Sequence, residues 1–226
     1  MKPLRKTKPI STVNKRHRPY RVVFIDWNGT LSASKFWGHL EKSAPKVFAS
    51  IENTLFGNLR NLIKPWMKGE IDSEYVIRMI SDRSGLSYTK VFDEFIYSCI
   101  NMKYVSSKVP TLINKLKKTG SKVVIATDNM DSFTRWTTRY MNTHSLFNDV
   151  LNSHDLRGMK KDTNNRGKSI FFSNYFKKHD IKPGESILID DSNDDIETIE
   201  SFGINYIHTK PAKGLLPALR KLISHN

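Results

Sequence analysis

The chain has a single cysteine, Cys99, in 226 residues. An internal disulfide framework is therefore excluded, and the composition suits a reducing compartment, read as cytoplasmic. Cys99 lies in an apolar helical pattern with Phe95, Ile96 and Ile100, which fits a small buried hydrophobe better than a nucleophile. No apolar run approaches the roughly 18 residues of a membrane-spanning helix, so no membrane partner is expected. The seven histidines show neither an H-E-x-x-H pattern nor Cys/His spacing, which argues against a zinc site. The absence of a G-x-x-x-x-G-K-[ST] loop argues against a P-loop kinase.

Acidic residues are also scarce: 22 Asp and Glu against 37 Lys and Arg give a net charge of +15. The shortage is sharpest in residues 1–21, which contain no acid. Lys2, Arg5, Lys6, Lys8, Lys15, Arg16, Arg18 and Arg21 there supply eight of the net positive charges. With Pro3, Pro9 and Pro19 and little apolar matter, residues 1–20 read as a disordered basic arm. Such an arm attracts nucleic acid or another polyanion non-specifically through residues 1–21. It has no apolar core for a secretory signal, and its helical spacing is poor for a transit peptide.

Hydrophobic content of 38% and aromatic content of 11% support a real core. Strand and helix patterns alternate beyond residue 20. Strands are expected at Arg21–Trp27, Lys122–Thr127, Asp149–Asn152, Ser186–Asp190 and Asn205–His208. Helices are expected at Val109–Lys118, Asp131–Met141, Lys168–His179, Ile196–Phe202 and Leu215–Ile223. This rhythm implies an α/β fold with a Rossmann-like, doubly wound parallel sheet. Residues 34–105 break it with a helical block, in which Asp72 is an N-cap and Gly85 a stop. The expected division is a core of residues 21–33 and 106–226 with an inserted helical cap domain at 34–105. Residues 157–168 read as a polar, basic surface loop.

The chemistry concentrates at strand ends. Val22-Val23-Phe24-Ile25 delivers Asp26 to a Gly-containing turn, Trp27-Asn28-Gly29-Thr30-Leu31. In open α/β sheets, ligands bind outside the carboxyl ends of the strands. A carboxylate there can attack phosphorus and form an aspartyl-phosphate. The second strand ends in Thr127-Asp128-Asn129, where a hydroxyl can hydrogen-bond a phosphate oxygen. Ser186-Ile187-Leu188-Ile189 delivers Asp190-Asp191, with Asp194 and Asp195 following. Such hard oxygens suit Mg²⁺, while Asp194 reads as a solvated helix N-terminus. The site also needs a fixed cation between its carboxylates and a phosphate.

In this order the segments resemble the four motifs of the haloacid dehalogenase (HAD) superfamily. Asp-Trp-Asn-Gly-Thr-Leu is similar to D-x-D-G-T-L, with Asn28 replacing the second aspartate. Thr127 is similar to the second motif, and Asp191 with Asp195 to D-D-x-x-x-D. The third motif supplies a lysine. Lys168, 23 residues before Asp191 and at the expected start of a helix, suits that arrangement. Lys160 and Lys161 are rivals, because Ser153 through Asp162 resembles an S-x-x-x-G-x-x-K-P-D run. Trp66-Met67-Lys68-Gly69-Glu70-Ile71 looks like cap sequence of the phosphoglycolate-phosphatase-like subfamily with a C1 cap.

The resemblance implies a Mg²⁺-dependent phosphatase of a small phosphorylated metabolite. Asp26 would be the nucleophile, with Asp26, Asp191, Asp195 and the Asn28 carbonyl around the metal. Thr127 and Lys168 would hold phosphoryl oxygens; Asp128, Asn129 and Lys160 would contact substrate. Asn28 cannot serve as the acid and base that the family's aspartate provides, a contribution of typically ~10²–10⁴-fold. Four readings of Asn28 stay open: another group or water supplies the proton; the substrate has a good leaving group; the protein binds phosphate or nucleic acid and turns over poorly; or Asn28 is engineered or deamidates. Dehalogenase chemistry is a further rival, disfavoured because it needs no metal carboxylates. Trp37, Lys46, Arg60 and Arg78 are specificity candidates by size or charge alone.

Overall fold

The computed structural model describes residues 20–224; the basic arm up to residue 19 lies outside the described residues. Five strands, β1 (Val22–Ile25), β2 (Lys122–Thr127), β3 (Asp149–Asn152), β4 (Ser186–Asp190) and β5 (Asn205–His208), form one sheet. All neighbours are parallel, in the order β3-β2-β1-β4-β5. The chain leaves β1 to build β2 and β3 on one side, then returns to build β4 and β5 on the other. The sheet's topological switch therefore falls between β1 and β4.

Helices cover both faces, so the central strands are buried throughout rather than alternately. Strand side chains still divide by the period of two. Val23, Ile25, Val123, Ile125, Ile187 and Ile189 pack with helices Val109–Lys118 and Leu215–Ser224. Val22, Phe24, Val124, Ala126 and Leu188 face Phe171, Phe172, Tyr175 and Phe176. Phe24 lies edge-on to Tyr175 and Phe176, with ring centroids 5.4 and 5.9 Å away.

A helical insertion joins β1 to β2 and has its own apolar cluster, built around Trp37, Trp66, Val76, Ile80, Phe95 and Cys99. Asp72 caps helix Ser73–Ser84 by accepting a hydrogen bond from the Tyr75 backbone, and Gly85 ends it in a left-handed conformation at φ +72°. Cys99 is buried, and burial pushes its thiol up to about 12, so it is a neutral packing residue.

Three elements differ from the sequence expectation: the strand expected at Arg21–Trp27 is confined to Val22–Ile25, and two helices are altered. The helix expected from Lys168 begins at Ser173, because residues 169–172 form turns that insert Phe171 and Phe172 under the sheet. Within the expected helix at Asp131–Met141, residues Phe133–Thr137 adopt π-helical geometry.

The insertion is fastened to the core by Asp131. Its carboxylate accepts hydrogen bonds from Trp66 Nε1 at 2.8 Å, Ser73 Oγ at 2.7 Å and Arg135 Nη1 at 2.8 Å. Burial raises the pKa of Asp131, but the hydrogen bonds from Ser73, Arg135 and Trp66 outweigh it and leave the carboxyl below its ordinary range. Arg135 continues into a two-pronged pair with Glu74. Ser153 donates to the Met67 carbonyl at 2.7 Å, and Lys68 pairs with Asp162 at 3.0 Å.

Candidate active site

Asp26 is the first residue beyond β1, and its backbone N–H donates to the Ile189 carbonyl of β4 at 2.9 Å. That bond continues the sheet register by one residue, which sets Asp26 beside Asp190 at the topological switch. Asp26, Asp190 and Asp191 each present a carboxylate oxygen within 4.8 Å of the others. Thr30 donates to Asp191 at 3.1 Å and steadies it against the turn after β1. Gly29 (φ +76°) makes this approach possible: a Cβ there would lie 2.1 Å from Asp191 Oδ2. Ser192 N–H donates to Asp190 Oδ1 at 2.9 Å.

Lys160 is the cation at the centre. Its Nζ lies 2.9 Å from Asp26 Oδ1 and 2.5 Å from Asp190 Oδ2, and its backbone N–H donates to Asp128 Oδ1 at 2.9 Å. Lys160, Asp26 and Asp190 are 4, 5 and 1% exposed, so these charges act with little screening by water. Burial alone would strip the proton from Lys160. The carboxylates of Asp26, Asp190 and Asp128 overcome it and raise the ammonium pKa well above its ordinary value.

The carboxylates feel the opposite push. Burial raises Asp26 to about 7 against the pull of Lys160, with Asp190 adding repulsion. Burial also raises Asp128 to about 6, again opposed by Lys160. Asp191 is raised by burial too, against the Thr30 hydrogen bond.

Asp26 thus takes up a proton more readily folded than unfolded. In the metal-free protein its contribution to stability is greatest below pH 4 and declines as pH rises towards about 7. In chelator, the melting temperature of the native protein should fall by several degrees relative to Asp26→Asn between pH 5 and pH 8. Parallel melting curves for the two proteins over that range would contradict this.

The set of donors fits a hard divalent cation: three carboxylates converge, and among the described residues no sulfur or imidazole joins the cluster. It also fits an anion beside that cation. Thr127 Oγ1 and Asn129 Nδ2, at and just beyond the end of β2, are buried without hydrogen-bond partners among the described residues. Buried polar groups are normally satisfied, and these two at the strand end could hydrogen-bond an anion held there.

The structure corrects the sequence expectation at two positions. Lys168 does not reach the acidic cluster. It is exposed on the 164–168 turn, where its backbone N–H donates to Asn164 Oδ1. Its placement rested on a helix starting there, and the helix starts five residues later. Lys160, on the loop between β3 and β4, is the lysine that meets Asp26 and Asp190. Asp195 does not join the carboxylate cluster either: its Oδ1 accepts from Lys161 Nζ at 2.9 Å. Asp190 takes the place expected of Asp195. A carboxylate at the end of a buried strand, one residue before Asp191, was the available signal. Thr30 lies in the Gly-Thr-Leu turn with no role assigned from sequence, and Asp131's links to Trp66 and Ser73 join residues distant in the chain. Asn28 is exposed and lines a cavity beside the cluster. None of Trp37, Lys46, Arg60 and Arg78 lines that cavity; Trp37 is buried in the insertion, and Arg78 stacks over Tyr88.

A parallel α/β sheet thus carries an acidic cluster and a buried lysine at its switch point, a donor set that could hold a divalent cation beside an anion. The chain belongs to the haloacid dehalogenase-like hydrolase family, whose model matches residues 66–209. No curated protein sequence matches it. Among solved structures it is similar to a HAD family enzyme from Bacteroides thetaiotaomicron, determined in complex with magnesium and inorganic phosphate. That likeness has a TM-score of 0.61 at 15% identity over 84% of this chain and 94% of that one. A predicted HAD-like hydrolase from Porphyromonas gingivalis gives 0.63 at 16% over 90% and 97%. The L-2-haloacid dehalogenase of Xanthobacter autotrophicus gives 0.59 at 13% over 84% and 77%. At these identities the likeness is one of fold.

Proposed function

We propose that this protein is a Mg²⁺-dependent phosphohydrolase that works through an aspartyl-phosphate on Asp26. The observation that carries the reading is the buried triangle of Asp26, Asp190 and Lys160, with Asp191 beside it and the unpartnered Thr127 hydroxyl nearby. The magnesium complex with phosphate in the Bacteroides relative supports it. Asp26, Asp190 and Asp191 would hold Mg²⁺, which supplies charge neutralisation and a template for the phosphoryl group.

The protein's own groups do the rest. Lys160 orients Asp26 and opposes the burial that raises its pKa, so favouring the ionised, nucleophilic form. A carboxylate oxygen of Asp26 forms the new O–P bond as the ester or anhydride P–O bond breaks and its electron pair leaves with the departing oxygen. Thr127 and Asn129 donate hydrogen bonds to phosphoryl oxygens. Water then releases phosphate and restores the carboxylate. The helical block acts as a cap that excludes bulk water.

Asn28 restricts this chemistry, because an amide donates no proton to an alkoxide. Anhydrides and activated esters are the expected substrates. The test is Mg²⁺-dependent release of phosphate from acetyl phosphate and from glycerol phosphate, with and without chelator. Acetyl phosphate should turn over and glycerol phosphate hardly at all, while Asn28→Asp should raise the alkyl ester rate by about a hundredfold or more. A protein inert on both that gains activity only as Asn28→Asp would instead be a phosphate binder. Halide release from a haloacid without Mg²⁺ would mark a dehalogenase.

A further inference from the structure

A cavity of about 530 Å³ opens against Asn28 and Gly29, directly after the Asp26 nucleophile position. Gly29 in its wall lies against the Asp191 carboxylate, so an occupant adjoins the acidic cluster. Its wall is apolar: Phe36 and Phe56 come from the helical insertion and the segment leading into it, Met102 and Met130 from the core side. Met102 and Met130 are buried, the Met102 sulfur accepting from Trp27 Nε1 at 3.4 Å, so they offer an apolar and adaptable surface rather than a polar one. The only ionisable groups in the wall are Lys35 and Glu52, of opposite sign and close enough for Lys35 to stabilise the Glu52 carboxylate. The Ser34 hydroxyl is already committed, accepting from the Lys103 backbone at 3.1 Å.

Phe56 is a second, independent observation. Among the described residues the exposed large hydrophobics are Phe56, Tyr75, Tyr97 and Tyr140, and Phe56 alone lacks a hydroxyl for water. It sits on the π-helical segment Asn53–Asn58, beside Gly57, which has nothing within 4 Å of a built Cβ. Short π-helical segments frequently mark functional sites. Here one holds a half-exposed phenyl ring over the cavity.

Asn28 supplies the third. A site without a general acid suits a leaving group that departs as a stable anion. A phenol, with pKa of about 10, leaves far more readily than an alkanol, whose hydroxyl resembles that of water at about 16. A polyhydroxylated leaving group would also bury hydroxyls against methyls and rings that cannot bond them.

We propose that this cavity binds the aromatic body of an aryl phosphate monoester. The inference rests on the phosphohydrolase reading and names its substrate class. Asp26 forms the O–P bond, the aryl O–P bond breaks, and the electron pair leaves as phenoxide, which takes its proton from water. Water then cleaves the aspartyl-phosphate to inorganic phosphate.

The test uses the full-length protein with Mg²⁺ and two non-hydrolysable probes, phenylphosphonate and methylphosphonate, titrated by calorimetry. Phenylphosphonate should bind at least tenfold more tightly, and the ratio should fall to about threefold or less in Phe56→Ser, a change at an exposed position. Equal affinities, or a ratio unmoved by Phe56→Ser, would overturn the assignment. Turnover is read separately. Acetyl phosphate hydrolysed without any aryl preference keeps the phosphatase reading and removes this inference. An aryl preference in binding with no turnover of any phosphate keeps the cavity's assignment and removes the phosphatase reading.

Discussion

Replacing Asp26 by Asn is expected to cut Mg²⁺-dependent phosphate release by roughly 10⁴-fold or more, the scale associated with removing a covalent nucleophile. The change is nearly isosteric, so the fold should survive it. Asn keeps one oxygen that can accept from Lys160 Nζ, now 2.9 Å from Asp26 Oδ1, but it loses the negative charge that attacks phosphorus. Stability should move the other way. Burial already strains the ionised carboxylate, pushing its pKa to about 7. The neutral amide removes that strain, so the metal-free variant should melt higher than the native protein at pH 8. A structural role for Asp26 would predict loss of both activity and stability. The opposed signs are therefore the signature of a group held in an unfavourable state for its chemistry. Acid-quenched protein should carry a phosphoryl group on the peptide containing Asp26 in the native chain and none in the variant. Turnover within tenfold of native in Asp26→Asn would take the nucleophile's role from this residue.

Much of this arrangement is legible in the chain because it depends on local pattern. Lys122–Thr127, Asp149–Asn152, Ser186–Asp190 and Asn205–His208 are strands over the expected residues. Each is a short run bounded by turn-formers, and in the two central strands of the four, Lys122–Thr127 and Ser186–Asp190, burial on both faces leaves few competing readings. Asp26 and Thr127 are readable for the same reason: each follows from where a strand stops. Lys160 is harder. It reaches Asp26 from 134 residues away, through a loop whose path depends on Phe171 and Phe172 packing under the sheet. Sequence spacing favours Lys168 only if a helix begins there, and tertiary packing delays that helix to Ser173. Asp195 illustrates the same limit, since its choice of Lys161 over the acidic cluster is a matter of side-chain reach. The cavity is invisible in sequence because its walls come from five separated stretches of chain.

Lys160→Met and Lys168→Met should separate the two lysines decisively. Met removes the ammonium but keeps much of the side-chain volume, so packing changes little. At position 160 it leaves Asp26, Asp190 and Asp128 buried without their cation. Removing one partner of a buried ion pair typically costs about 3–5 kcal/mol, because the remaining charge stays desolvated. That cost has a pH signature. With the ammonium gone, the burial that raises Asp26 and Asp128 is opposed far less, at Asp128 by the residue 160 backbone N–H, so their folded pKa values rise further above the unfolded ones. Groups raised on folding destabilise increasingly as pH rises through that interval. The loss of stability in Lys160→Met should therefore be large at pH 8, smaller at pH 5 where the carboxylates accept protons, and partly offset by added Mg²⁺. Phosphate release should fall by about 10³-fold, as expected for loss of a preorganised charge at the reacting group. Lys168→Met should melt and turn over like the native protein at both pH values, since its side chain is exposed and remote from the cluster. A cost equal at pH 5 and pH 8 would mean that Lys160 acts through packing alone. A loss of activity in Lys168→Met would return the cation's role to the residue that spacing first suggested.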